Sequence, residues 1–406
     1  MSDLTTCIRD WLLSRALEDF DLQDTLSGFG TRLVQGGLPV ARISLGRPMM
    51  HPIIGLMSLV WDADTDRVSL DITPRHRVAR EESRRSPFGD LLQGRVTKLH
   101  ADPRKSPGHD DYVLFRQFAD EGMTDYVAHL VEFGAKWTTS DHGQYLAVGG
   151  LISFSTRRFS GFSPSELQTI DDLLKPLFVC VRMATERFLA SELLEAYLGQ
   201  TTGQRVLTGQ SARGDVQSID CVLLYSDLRN STGLSQDLDT SCYLKTLNQY
   251  FDCTAGAVLD HGGEVLKFVG DGILAIFPIE TGSRPRANMC NAALSSARES
   301  FARALEINHK RQAEDLPEFS FGVALHVGHV IYGNVGTLKR LDFTATGAAV
   351  ALVSRCETLT RDLNQPLVAT REFARACAAS SADQGQHVLR GFDDPVDLVA
   401  YDVSAP

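Results

Sequence analysis

No stretch of this chain comes near the roughly 18 consecutive apolar residues that a membrane-spanning helix needs, so no membrane span is expected. A basic excess is missing as well. Against 51 Asp and Glu stand only 40 Lys and Arg, a formal net charge of −11, which argues against nucleic acid as a partner. The arginine-rich run at residues 75–85 is interrupted by acidic residues and reads as solvated surface. The eight cysteines contain no CxxC or CxxxC pair, which excludes a zinc site of the usual spacing and a disulfide framework. A secretory leader is not expected either, because Asp3, Asp10, Glu18 and Asp19 break the basic-then-apolar pattern. These absences together predict a cytoplasmic protein with reduced, mostly buried thiols.

What is present suffices for two ordinary cores: 43% of the 406 residues are hydrophobic and 22% are charged. The pattern divides the chain into residues 1–180, a connecting helix and linker at 181–217, and residues 218–406. In the first part, the spacing of Ile8, Leu12, Leu26, Phe29 and Leu33 predicts one helix over 8–36. Apolar runs predict strands at 39–45, 53–61, 67–72, 126–133 and 145–154, with a turn at 140–143. Residues 74–109 read as loops and short helices. Ser163, Pro164 and Glu166 have the spacing of a capping box with proline at the first helical position. The helix they open carries Ile170, Leu174, Leu177, Val181, Ala184 and Phe188, a heptad seam that Pro176 should kink. That seam suits packing on its own domain, on a second subunit, or on each in turn. Four glycines between 199 and 214 mark a hinge.

From residue 218 strands and helices alternate. Strands are expected at 219–225, 342–346 and 366–369, with strand pieces at 319–327 and 330–332. A hairpin is expected at 264–277, helices near 239–259, 286–310 and 348–363, and closing strands at 387–390 and 396–401. This order predicts an α+β, ferredoxin-like fold with helices on one face of a mostly antiparallel sheet. Asp227 ends the first strand, before the polar turn Arg229-Asn230-Ser231-Thr232, and Asp271 sits in Gly270-Asp271-Gly272 at the hairpin tip. If their strands pair side by side, the two carboxylates can share divalent cations. Two hard oxygen ligands with open positions suit Mg²⁺ carrying a triphosphate.

Residues 218–404 resemble the catalytic domain of the class III nucleotidyl cyclases. The matching runs are Tyr225-Ser226-Asp227-Leu228-Arg229, Lys267-Phe268-Val269-Gly270-Asp271, Leu325-His326-Val327-Gly328, Tyr332-Gly333-Asn334-Val335-Gly336, Asp342-Phe343-Thr344 and the segment from Gly347 to Arg355, in the family's order. The resemblance implies conversion of ATP to 3′,5′-cyclic AMP and pyrophosphate with two Mg²⁺ or Mn²⁺ ions per active site. It makes Asp227 and Asp271, with the Leu228 carbonyl, the metal ligands. Arg229, Asn230, Ser231, Thr232 and Gly270 belong to the substrate turn, Lys267 and Thr344 read the purine, and Arg355 meets charge developing on the phosphate. Lysine with threonine favours adenine; a guanine reader more typically carries Glu with Cys or Ser. The family's sites lie between two catalytic domains, which implies a homodimer: Asp227, Asp271 and the turn from one subunit, Lys267, Thr344 and Arg355 from the other.

One position departs from the family's pattern. Ala351 stands one turn before Arg355, where the family carries an asparagine. Loss of one such transition-state contact costs about 2.7–4 kcal/mol, or 10²–10³ in rate. A degenerate cyclase acting as a nucleotide-binding regulatory dimer is the alternative this substitution feeds, and guanylate cyclase is another; a diguanylate cyclase lacks its GG(D/E)EF loop here. In the first half, Gly149-Gly150-Leu151-Ile152-Ser153-Phe154, followed by a long amphipathic helix, resembles the end of GAF domains. That implies an α/β sensor domain for an unknown small-molecule or protein signal.

Overall fold

The structure, a computed structural model, describes residues 2–18, 20–78, 86–92, 96–105, 112–133, 138–139, 145–146, 149–209, 212, 214–280, 282–337 and 339–404. The turn expected at 140–143 lies outside them. The chain forms two compact units, Met1–Ala196 and Tyr197–Pro406. No helix among the described residues is long and apolar enough to cross a membrane.

In the first unit the strands are β1 (Arg42–Pro48), β2 (Ile54–Asp62), β3 (Arg67–Pro74), β4 (Lys98–Ala101), β5 (Asp125–Glu132), β6 (Thr138–Thr139), β7 (Tyr145–Leu146) and β8 (Gly149–Thr156). Six of them make an antiparallel sheet in the order β3-β2-β1-β8-β5-β4, and β6 pairs with β7 separately. Strand alternation gives the sheet two apolar faces. Val127, Ile152 and Phe154 point to one, under the helices Ser2–Ala16, Leu22–Gln35 and the first half of Pro164–Leu198; Tyr126, Ala128 and Leu151 point to the other, under Pro87–Leu92 and Val113–Asp120.

Three expectations need correction in this unit. The single helix over 8–36 is two helices, because the Asp21 carboxylate caps a new start by accepting from the Gln23 and Asp24 amides at 2.6 and 3.2 Å. The strand at 145–154 is two, β7 and β8. The stretch 74–109 contains a strand, β4, which pairs with β5. The heptad seam meets one of its alternatives: Ile170, Leu174, Leu177 and Val181 are buried in the unit's own core, and Phe188 packs partly against it. The capping box forms: the Ser163 amide donates to Glu166 at 2.7 Å and the Glu166 amide to the Ser163 hydroxyl at 3.4 Å. Pro176 lies inside the 35-residue helix without ending it.

The second unit opens with the helix Gln200–Leu207, inside the stretch read as connecting helix and linker. Its sheet contains β9 (Val216–Leu228), β10 (Glu264–Val269), β11 (Gly272–Pro278), β12 (Phe321–Thr337), β13 (Arg340–Thr346), β14 (Leu367–Thr370), β15 (Ala382–His387) and β16 (Val396–Ala400), in the order β10-β11-β9-β12-β14-β16-β15 with β13 paired to β12. The two strand pieces at 319–332 are one 17-residue strand, β12, which pairs with β9 from Phe321 to Gly333. The strand expected at 387–390 is displaced to 382–387. Helices cover both faces, not one: Thr240–Asp260 and Arg286–Ala313 pack over Val222, Leu224 and Phe277, while Ala348–Asp362 packs over Leu223, Leu274 and Ala324 on the other side. Those apolar runs are buried on both faces, so they read as continuous rather than alternating.

Candidate active site

The pairing of β11 with β9 sets Gly272 opposite Asp227. Between Val269 and Gly272 the hairpin turns on Gly270, at φ +65°, and Asp271; glycine at the first central position is what a tight two-residue turn of this hand requires. Asp271 therefore lands beside Asp227, and the Leu228 amide donates to the Asp271 carbonyl at 3.3 Å. Burial, then the charge of Asp271 and a hydrogen bond between the two carboxyls, push Asp227 up to about 6. Two half-exposed carboxyls held against each other form a hard-oxygen donor set that a divalent cation neutralises, and these residues fit Mg²⁺ or Mn²⁺. Among the described residues no cluster of three or more His, Cys, Asp or Glu side chains is arranged to hold a metal.

Lys267 lies on β10 just past a bulge, where the register against β11 slips between Val265 and Lys267. The extra residue breaks the alternation, so Lys267 leaves the face that Val265 packs and pairs with Asp342 of β13. Asp342 and Thr344 are two residues apart on one strand and so share a face. Thr344 is half-buried, and its hydroxyl donates to the Ala345 carbonyl at 3.4 Å.

Ala351 and Arg355 are exposed along one stripe of the Ala348–Asp362 helix. The opposite stripe carries Glu357 and Thr360, both buried, which sit behind Asp227. Thus the structure brings Asp227 together with Asp271 and Lys267 together with the strand of Thr344, while Arg355 lies exposed on the helix stripe of Ala351, opposite the stripe of Glu357 and Thr360. In the turn after Asp227, Asn230 adopts φ +56° and precedes the short helix Ser231–Asp237, which places Ser231 and Thr232 in its first turn. Arg229 does not face outward. Its amide donates to the Ser320 carbonyl at 2.8 Å and its Nη2 to the Thr360 carbonyl at 3.3 Å.

Sequence reasoning missed two groups. Asp342 lay within a quoted motif, and its same-face spacing to Thr344 was the available signal. Glu357 is pushed up to about 7, first by burial and then by the charge of Asp227, against the Thr360 hydroxyl and the charges of Arg229 and Arg361. Its signal was its spacing of four from buried Val353 and three from buried Thr360.

No protein-family model matches the chain. An adenylate cyclase of Anabaena cylindrica is 30% identical over 157 residues, which is 38% of this chain and 30% of that protein. The photoactivated adenylate cyclase subunit alpha of Euglena gracilis is 28% identical over 196 residues, 47% of this chain and 18% of that protein. Among solved structures, a bacterial light-regulated adenylyl cyclase overlays on 60% of this chain and 67% of that one, at 23% identity and a TM-score of 0.46. The chain spans less than a third of the length of these curated relatives. Over about half its own length, it is a homologue of the class III adenylate/guanylate cyclases.

Proposed function

We propose that the chain is an adenylate cyclase that converts ATP to 3′,5′-cyclic AMP and pyrophosphate, as a cytoplasmic homodimer with two shared sites. The observation that carries this reading is the Asp227–Asp271 pair, two carboxyls held together at the strand end and hairpin tip. With the Leu228 carbonyl they would hold two Mg²⁺ or Mn²⁺ ions. Bound cations of this kind stabilise the attacking ribose oxygen and the leaving phosphates. The turn from Asn230 to Thr232, with Gly270 across from it, lies where the triphosphate would pass. Lys267 donates to the purine edge and the Thr344 hydroxyl completes the reading of adenine. Arg355, exposed on its helix, would serve the site of the second copy. That exposure, on the helix stripe opposite buried Glu357 and Thr360, is what supports a site shared between subunits.

The first unit is read as a GAF-like sensor. A cavity of about 600 Å³ opens there between the end of β5, at Phe133, and the Pro164–Leu198 helix, at Phe178 and Arg182. Relatives whose names include photoactivation show that a cyclase can be coupled to an input, and here the input is an unidentified small molecule or protein.

Mass-spectrometric product analysis of the full chain with ATP and with GTP, in Mg²⁺ and in Mn²⁺, tests the proposal. Cyclic AMP from ATP, abolished by Asp271→Ala, is expected. No cyclic product from a folded dimer would leave the nucleotide-binding regulator favoured by Ala351.

A further inference from the structure

The back of the Ala348–Asp362 helix is fastened to the turn that follows Asp227. Arg229 reaches inward, and its Nη2 donates to the Thr360 carbonyl at 3.3 Å. The Thr360 hydroxyl donates to Glu357 Oε1 at 3.3 Å, and both side chains are buried. Room for them comes from Gly322, the residue of β12 directly paired with Asp227: a Cβ there would overlap both Glu357 Oε1 and Thr360 Oγ1. The Arg229 amide is itself tied to Ser320, two residues before Gly322. A substrate-facing role would leave the Arg229 guanidinium in the open turn; instead its Nε is buried. On the opposite side of the same helix, Ala351 and Arg355 face solvent.

We infer that Arg229, with Glu357 and Thr360 seated over Gly322, is a strut that makes the turn serving one site and the Arg355 face serving the other a single body. Arg229 is thus a positioning residue that couples the two sites of the dimer. The inference rests on the proposed shared-site cyclase and deepens it. Substrate engaging the turn of one subunit fixes, through Arg229, where that subunit presents Arg355 to the second site. A helix held at one end by a half-buried arginine transmits a displacement along its axis rather than absorbing it, because packed elements are stiff.

Mixed dimers of the full chain test the strut. One subunit carries Asp271→Ala and the other Arg355→Ala. One site then lacks both groups, and the other keeps both, taking its metal turn from the Arg355→Ala subunit and its arginine from the Asp271→Ala subunit. Cyclic AMP production by the mixture is expected, while each variant alone is inactive. Arg229→Met is then added to the Asp271→Ala subunit only, whose turn takes no part in the surviving site. A fall in kcat of about tenfold or more is expected there, since small misplacements of a catalytic group cost that much. Arg229→Lys, which keeps a donor for the Thr360 carbonyl, should restore part of it. Unchanged kcat in that arrangement, with Arg229→Met acting only when placed in the other subunit, overturns the strut and leaves the cyclase reading standing. Failure of the mixed dimer to recover activity, when the wild type is active, overturns the shared site and the strut with it.

Discussion

Ala351 puts a methyl group one turn from Arg355 on an exposed helix stripe, so its replacement disturbs no packing. Ala351→Asn should raise kcat by up to about 10²–10³, the worth of one transition-state donor, with the melting temperature nearly unchanged. An unaltered rate in steady-state assays would mean that another group already orients the ribose. The Lys267–Asp342 pair leads to a second expectation. Both side chains are close to half exposed, at 44% and 47%, so the pair adds only about 0–1 kcal/mol to stability. Asp342→Asn should therefore leave unfolding almost untouched and lower the ratio of kcat/KM for ATP over GTP, because Lys267 loses the carboxylate that aims it. Comparison of both nucleotides in one assay decides this. Asp227 and Asp271 were legible in the sequence because a strand-end carboxylate and a Gly-Asp-Gly tip are local patterns. Asp342 was not, since its partner lies 75 residues away and is reached only through a bulge that no residue type announces.

At the level of elements, length and capping were legible and the use of each face was not. The Ser163–Glu166 box started its helix where the residues said it would, yet the seam it carries could not reveal whether its own sheet or a second chain would cover it. Glycine gives a second case. Gly203 lies buried inside the helix Gln200–Leu207, whose neighbour Thr202 is also buried, its hydroxyl 3.5 Å from the Tyr332 hydroxyl. Tyr332 donates to Glu264 at the base of β10 at 2.9 Å, and the Arg205 guanidinium lies 5.1 Å from the Tyr332 ring centre. This short helix is thus part of the second unit rather than a free tether. A fragment of residues 197–406 should melt above one of residues 216–406. Loss of the Thr202 packing and the covered tyrosine, on the order of 1–3 kcal/mol, lowers the midpoint by roughly 2–4 °C per kcal/mol in a unit of this size. Equal midpoints in differential scanning fluorimetry would return the segment to the status of a linker.

Across the whole molecule each unit holds one histidine that burial pushes down to about 4, His129 in the first and His326 in the second. A group whose folded value lies below its ordinary 6.5 binds fewer protons folded than unfolded between those limits. Its contribution to stability is present above pH 6.5 and is lost as pH falls through 4, by up to about 1.4 kcal/mol per pH unit. In the second unit Asp227, at about 6, and Glu357, at about 7, work in the opposite sense, since raised carboxyls stabilise below their ordinary range and lose that contribution as pH rises through their folded values. The units should therefore respond differently to acid: the first weakens steadily, while in the second the two raised carboxyls outweigh the one lowered histidine and stability rises as pH falls through 6. The three tryptophans, Trp11, Trp61 and Trp137, all fall in the first unit, so indole fluorescence reports its unfolding while far-ultraviolet circular dichroism reports both. His326→Gln removes the second unit's titrating imidazole while an amide can still meet the Thr370 hydroxyl, which lies 2.9 Å from His326 Nδ1. The stability difference between wild type and H326Q should then shift in favour of H326Q as pH drops from 6.5 to 4, in the dichroism transition alone. A shift of the tryptophan transition as well would mean that the two units unfold as one, and a pH-independent difference would mean that burial does not hold His326 below its ordinary value.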